Sequence, residues 1–374
     1  MKKKAILITI YEPGSSHGNR LQHYALQTVL EGLGLQTESV RFPAEQLNGK
    51  AQLKYQLQRL SGYRLPGDRI YWQYRFPQLA AFEQFNRRYI HTREIRRADR
   101  LPAADFYVLG SDQVWNTAWW DAGGQKADLF LLAAAPPEKR ICYSPAFGTD
   151  TLDPVWHTRF AEELTRFPQL SVREAAGARI IQNLTGRTAQ VTPDPALLLT
   201  AEEWRALSRQ PQGLPGTGPW ILSYFLGPRP ARAEQDLTTA AARTGATVLE
   251  PGSPAQPVLS AAGPAEFLWL TDHARLILTD SFHACIFAFL FGRPFLLYAR
   301  EGRETGLFSR LDTLLNTFGL QRKFTGSGLE NDPLECSYED SCRRLEAERV
   351  RALQFLRTSL HLPDGTQAER TENR

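Results

Sequence analysis

Short apolar runs that end in small or polar residues alternate with stretches of helical periodicity along most of the chain. In the first half, Ala5–Ile10, Phe106–Leu109, Arg140–Tyr143, Leu170–Val172 and Ala189–Thr192 are predicted strands. A predicted helix starting near Asn19 carries Leu21, Tyr24, Ala25, Leu30 and Leu33 on its core-facing side. The second half restarts the rhythm, with strands expected at Trp220–Phe225, Ala246–Leu249, Arg275–Thr279 and Pro294–Tyr298. Helices are expected at Ala231–Arg243, Pro264–Asp272 and His283–Phe291, and a charged amphipathic one at Glu339–Leu360. Such alternation implies parallel sheets covered by helices, the α/β class.

The 374 residues exceed one ordinary core and suit two domains. The Pro- and Gly-rich stretch from Gln210 to Pro219 separates the halves. The expected organisation is a Rossmann-like domain over 1–208, a linker over 209–219, and a second Rossmann-like domain over 220–336. A C-terminal helix over 337–360 and a polar, flexible tail over 361–374 complete it. Two doubly wound domains facing a cleft is the simplest architecture.

Composition is that of a folded chain, 42% hydrophobic and 22% charged. The basic start followed by Ala5–Ile10 imitates a signal peptide, but the run is too short and gives way at once to Tyr11-Glu12-Pro13-Gly14, so a first strand is expected instead. The longest apolar stretch, Ala284–Tyr298, is broken by Gly292-Arg293-Pro294, short of the roughly 20 residues that cross a bilayer. Four cysteines without a CxxC pair fit a reducing cytosol and make a zinc site an unlikely expectation. Between Lys50 and Arg100 stand 12 Lys or Arg against 4 Asp or Glu, interleaved with Tyr55, Tyr63, Tyr71, Trp72 and Tyr74, in a chain whose net charge is +4. A solvated helical face is the default account of this segment. The alternative is a peripheral contact with anionic lipid headgroups. Nucleic acid is not expected as a partner, because no binding module accompanies the charge.

In open parallel sheets, ligands gather beyond the carboxyl ends of the strands. The loops there hold Ser16-His17-Gly18-Asn19, then Gly110-Ser111-Asp112-Gln113-Val114-Trp115-Asn116, then Arg173-Glu174, Asp194 and Asp280-Ser281-Phe282-His283. Arg173 at a strand end suits bidentate grip of an anion, and Glu174 beside it offers the blander reading of a local ion pair. Asp280 or Ser281 is expected to cap a helix whose first turn carries His283, a side chain able to give and take a proton near neutrality. Asp112 and Asn19 also serve as ordinary helix caps, Gly18 and Gly110 as turn residues, and Trp115 as core or as a sugar-stacking face.

These segments, GNRLQHYALQ from Gly18, GSDQVWN from Gly110, SVRE from Ser171, DPALLL from Asp194 and TDSFHA from Thr279, resemble the successive motifs of polysaccharide pyruvyltransferases. The likeness runs from Ile6 to about Arg322, with GPAEFLWL from Gly263 and SRLDTLLNTFGL from Ser309, and omits the Lys50–Arg100 insertion. Ala284-Cys285 departs from the family pattern, which has Gly and a small or hydroxyl residue there. The resemblance implies a twin-Rossmann fold similar to GT-B glycosyltransferases, and transfer of the enolpyruvyl group of phosphoenolpyruvate to two hydroxyls of a sugar as a ketal. The acceptor is then a cell-surface polysaccharide or its lipid-linked precursor, and the enzyme cytoplasmic or peripheral at the inner membrane face. Phosphoenolpyruvate is a donor substrate, and no cofactor or metal is expected. His283, Asp112 and Arg173 are the expected catalytic residues. Arg173, Ser281, Phe282, His283 and Arg310 are expected at the donor. On the acceptor side the expectation covers Gly18, Asn19, Gln22 and Ser111, together with Asp112, Gln113, Trp115 and Asn116. Asp112 either steadies the positive carbon or accepts the proton of the attacking hydroxyl. Two rivals stand beside this reading. One is a nucleotide-sugar glycosyltransferase, which the absence of an Asp-x-Asp pair and of GxGxxG only mildly disfavours; the other is a non-catalytic sugar-binding protein on the same fold.

Overall fold

The computed structural model describes residues 2–11, 16–41, 76–120, 124–214, 216–251, 261–300, 306–326 and 336–363, with a few isolated positions between them. The N-terminal half runs β1 (Lys4–Ile8), α1 (His17–Gly32), β2 (Gln36–Arg41), α2 (Phe76–Tyr89), β3 (Thr92–Glu94) and β4 (Phe106–Leu109). It continues through α3 (Gln125–Phe130), β5 (Arg140–Cys142), α4 (His157–Thr165), β6 (Ser171–Val172), α5 (Ala175–Thr185), β7 (Gln190–Val191) and α6 (Ala201–Arg205). Five of its strands form one parallel sheet in the order β3-β2-β1-β4-β5. Central β1 and β4 are buried throughout most of their length and read as continuous apolar runs, as strands covered on both faces must.

Strands β6 and β7 form a separate parallel pair and do not extend the main sheet. Ser171 makes the join: its hydroxyl donates to the Cys142 carbonyl at 2.9 Å and accepts the Ser144 amide at 2.9 Å. Side-chain bonds thus replace a backbone ladder at this seam. Strands β2 and β3 escape the sequence reading, whereas helix α2 falls in the basic segment for which a helical face is the default account. In β2 the residues that turn inward include Thr37 and Ser39, so its polarity hides its burial. Helix α2 and strand β3 lie within the basic segment, and β3 is the sheet's edge. The aromatics at 55, 63, 71, 72 and 74 fall outside the described residues, as does the tail beyond residue 363.

The C-terminal half comprises β8 (Trp220–Tyr224), α7 (Ala231–Thr244), β9 (Thr247–Leu249), α8 (Pro264–His273), β10 (Ala274–Thr279), α9 (Phe282–Leu290), β11 (Phe295–Leu297), α10 (Gly306–Phe318) and α11 (Glu339–Ser359). Its four strands pair in parallel as β11-β10-β8-β9. Among the described residues, no helix is long and apolar enough to cross a membrane.

The halves share a core. Leu21 and Ala25 of α1, Leu222 of β8, Phe267 of α8 and Phe287 of α9 belong with Trp204 to one continuous apolar cluster. Around it, Arg205 of the first half forks onto Asp272 of the second at 2.9 and 3.2 Å, and Arg293 reaches the same carboxylate. Helix α11 returns to the N-terminal half, where Arg349 donates to the carbonyls of Leu197 at 2.7 Å and Leu199 at 2.6 Å.

His17, the first residue of α1, completes the junction. It is buried, stacked on Phe267, with Nε2 2.9 Å from the Ala262 carbonyl and Nδ1 3.0 Å from the Tyr224 hydroxyl. A carbonyl only accepts, so Nε2 carries the proton and Nδ1 accepts from tyrosine. Burial takes the pKa of His17 from its ordinary 6.5 down to about 4, against the opposing pull of the Ala262 carbonyl and Glu266. Above pH 6.5 the residue is neutral in both folded and unfolded chains. As pH falls from 6.5 toward 4, only the unfolded chain gains the proton, so stability is lost by about 3 kcal/mol over that window. His17→Phe is expected to show a shallower acid decline in urea midpoint over this range, buried His23 still supplying its own share. Parallel wild-type and variant profiles would refute this role.

Candidate active site

The carboxyl ends of both sheets open on one cleft of about 1140 Å³, lined from the first half by Asn19, Asp112, Gln113 and Trp119 and from the second by Ser281, His283, Arg300 and Arg310. At the end of β4, Gly110 takes φ +120, and a side chain there would strike the Tyr143 carbonyl, so only glycine fits. The turn sets Asp112 in the left-handed region, φ 74, a conformation that costs a non-glycine residue energy and is typical of positions aimed for function. Its carboxylate accepts from Asn19 Nδ2 at 2.8 Å, from the Gln113 amide at 2.8 Å, and from Arg173 Nη2 at 3.2 Å.

Arg173 Nη1 donates to Asp194 Oδ2 at 2.6 Å, and His283 Nε2 lies 3.6 Å from the same oxygen. Burial favours protonation of both carboxyls. Their neighbours outweigh it, the His283 hydrogen-bonding ring and Arg173 at Asp194 and chiefly Arg173 at Asp112, and both remain below the usual carboxylate range. Asp194 also caps its own turn through the Ala196 amide at 3.0 Å. One buried guanidinium thus joins the loops after β4, β6 and β7.

His283 stands in the first turn of α9, capped by Ser281, whose hydroxyl accepts the Ala284 amide at 3.4 Å. Its imidazole packs on Gly18, where any Cβ would collide with the ring. Asp280 is not the cap. It accepts the amides of Leu226 at 2.7 Å and Gly227 at 3.0 Å and holds Arg300 Nε at 2.8 Å.

Arg310, on α10, is buried and packs over the Phe282 ring, 5.6 Å from its centroid; Arg173 covers the same ring at 4.8 Å. The Gln113 amide oxygen, turned toward it, receives Nη1 at 2.7 Å. Among the described residues, no carboxylate lies within ion-pair distance of Arg310. Burial, and then the nearby Arg173 charge, bring its pKa down to about 10, still cationic at neutral pH.

Several expectations need correction. Arg173, expected to grip an anion, has both guanidinium ends committed to carboxylates and does not line the large cleft; Arg310 and Arg300 do. Trp115 is fully buried between Phe147 and Phe160, its indole N–H on the Phe130 carbonyl at 2.9 Å, which leaves no face for a sugar. Gln22 and Ser111 are likewise buried, and the Gln22 oxygen accepts the Ser111 amide at 3.3 Å, so they form the floor beneath Asp112. Asn116 caps a 3-10 turn through the Ala118 amide at 3.2 Å. Gly18, Asn19, Asp112, Gln113, Ser281, Phe282, His283 and Arg310 all line the cleft. Glu174 accepts the Phe147 and Gly148 amides, a structural duty. Arg300 went unforeseen, although it follows the carboxyl end of β11, where the loop rule points. Among the described residues, no group of three or more His, Cys, Asp or Glu is placed to hold a metal.

Fold and cleft together define a two-domain, Rossmann-like α/β protein whose slot joins acid–base groups to Arg310, which has no ion-pair partner among the described residues, and to Arg300, which is paired with Asp280. The chain belongs to the polysaccharide pyruvyl transferase family, whose model matches residues 17–302, and is therefore a transferase. No curated protein matches it by sequence. Among solved structures it is similar to Arabidopsis thaliana UGT89C1 complexed with UDP-L-rhamnose (10% identity, 97% of this chain and 100% of that one, TM-score 0.47). It is also similar to a putative UDP-N-acetylglucosamine 2-epimerase from Listeria monocytogenes (12%, 99% and 94%, TM-score 0.45).

Two substitutions test the site's construction. Arg173→Leu leaves Asp112 and Asp194 without their shared cation, and a loss of about 3–5 kcal/mol is expected in urea unfolding. Gly18→Ala pushes the imidazole aside at about 1–3 kcal/mol and shifts the His283 side-chain resonances in a histidine-selective NMR spectrum. Unmoved resonances would show that the ring does not depend on this glycine.

Proposed function

We propose that the protein transfers the enolpyruvyl group of phosphoenolpyruvate to two hydroxyls of a surface-polysaccharide sugar, forming a pyruvate ketal. The observation that carries this reading is Arg310, a buried cation on the cleft wall whose described polar contact is a neutral amide, next to His283 and the start of α9. A buried guanidinium without a carboxylate favours an anionic ligand. In this reading Arg310, Ser281 and His283 hold the donor against Phe282, with Arg300 as a further cation.

His283 delivers a proton to the methylene carbon as C2 gains positive character, and Asp112 faces the acceptor as base or as electrostatic partner. The first sugar hydroxyl adds to C2. The second then displaces phosphate: two C–O bonds form, the C–O bond to phosphate breaks, and of the two hydroxyl protons one replaces that given to carbon and one leaves with phosphate. Asp194, 3.6 Å from His283, steadies the imidazolium between turnovers.

The nucleotide-sugar rival is disfavoured by Asp280. Its carboxylate takes the two amides that follow β8, at a strand end where a nucleotide phosphate would need free donors and no negative charge. Calorimetric titration tests both readings: phosphoenolpyruvate is expected to bind saturably, weakened by at least about tenfold in Arg310→Ala and His283→Ala. Absence of binding, with a nucleotide sugar binding instead, would establish the rival.

A lipid-linked acceptor at the cytoplasmic membrane face fits the sheet edge. Exposed Arg93, Arg96, Arg97 and Arg100 line a shallow groove there, Arg93 facing Glu38 and Arg97 facing Asp99. Each basic side chain near an anionic surface contributes roughly 1 kcal/mol. Co-sedimentation at low salt with phosphatidylglycerol-containing vesicles, but not phosphatidylcholine alone, is expected, reduced by the pair Arg96→Glu and Arg100→Glu. Equal recovery on both vesicle types would remove the membrane from this account.

A further inference from the structure

One tryptophan on the cleft wall makes no side-chain hydrogen bond or ring contact among the described residues. Trp119 lines the cleft with 47% of its surface exposed, whereas Trp115 and Trp204 are wholly buried. An exposed indole in a concave, polar-rimmed site is a hallmark of a binding platform, because it offers a rigid apolar face at little conformational cost.

The backbone beneath it is fixed. Trp119 ends a 3-10 turn, Thr117–Trp119, that Asn116 caps. Its amide donates to the Asn116 carbonyl at 3.2 Å, and its own carbonyl accepts from Lys126 Nζ at 3.0 Å. The following residue, Trp120, is locked inward: its indole N–H reaches the Val114 carbonyl at 3.0 Å and its ring stacks on Phe160, 5.4 Å between centroids at 6°. Of two adjacent tryptophans, one anchors the loop and the other is left facing the cleft. The same loop carries Asp112, and both side chains line the cleft. Asp150 and Arg179 line the same cleft and offer hydrogen-bonding partners of both signs.

We infer that Trp119 is the stacking platform of the acceptor subsite and receives the apolar C–H face of a pyranose ring. The inference rests on the pyruvyl-transfer reading only for the name of the reaction; the ligand class, a neutral hexopyranose, comes from the pairing of an aromatic face with hydroxyl-binding groups. A nucleobase would also stack on indole, and the uridine diphosphate arm of the test separates the two ligand classes.

The test is saturation-transfer NMR with methyl β-D-galactopyranoside, methyl β-D-glucopyranoside and methyl N-acetyl-β-D-mannosaminide on wild type, Trp119→Ala and Trp119→Phe, with calorimetric titration of phosphoenolpyruvate and uridine diphosphate into each. At least one glycoside is expected to bind wild type saturably, with saturation strongest on the protons of one ring face. Trp119→Ala weakens it by at least about fivefold, Trp119→Phe restores most of it, and donor affinity stays the same in all three. Glycoside affinity unchanged in Trp119→Ala, no glycoside binding to wild type, or loss of uridine diphosphate in place of the sugar would each overturn the inference. Failure of phosphoenolpyruvate to bind wild type, with the glycoside result intact, would instead sink the donor assignment and leave the platform standing.

Discussion

The site is organised by one buried cation that serves two carboxylates. Arg173 lies between Asp112 and Asp194, and the three side chains come from the ends of three strands that no backbone ladder joins into one sheet. Charges taken out of water must be paired or neutralised, so the loops are compelled to converge on the guanidinium. The convergence then propagates. Asp112 draws Asn19 and with it the start of α1, and Asp194 draws His283 and with it the start of α9. One cation between two anions leaves negative charge unbalanced, and the His283 imidazole stands at the Asp194 side of that surplus.

The loops of this site were legible in the sequence because a topological rule selects them: parallel strands place their carboxyl ends together, whatever their order in the chain. Roles within the loops were less legible. Arg173 and Arg310 are equally cationic as letters, and only the fold shows that the first is spent on carboxylates while the second is not. Trp115 and Trp119 differ in the same way, since periodicity in a loop gives no inward or outward face. Strand β2 was hidden by its own chemistry, for Thr37 and Ser39 turn inward where an apolar pattern would have announced a strand. Asp280 and Ser281 are equal cap candidates in the sequence; the fold gives the cap to Ser281, because Asp280 binds the amides of Leu226 and Gly227 in a loop far away in sequence.

The two halves on either side of the Gln210–Pro219 stretch are tied together by packing. The linker is there in sequence, but the halves share one apolar cluster, the Arg205–Asp272 fork and the pin of His17 on Tyr224 and Ala262. Helix α11 crosses back to the first half and takes two carbonyls through Arg349. A rigid-body opening of the cleft would expose that cluster to water at roughly 25 cal/mol per Å² of apolar surface. The cleft is therefore held at a set width, and the positions of Asp112 on one wall and His283 on the other are fixed by the same packing that makes the fold stable.

The contact of His283 with Gly18 bears on how this chain can change over time. A side chain of any size at position 18 occupies the volume of the imidazole, so the glycine is held as long as the histidine stays where it is. The two residues sit in different halves of the protein and far apart in the gene, yet the side chain of one sets what the other can be. A lineage that abandons the histidine becomes free to fill the glycine, and drift at position 18 among descendants would then mark where the ancestral chemistry was given up.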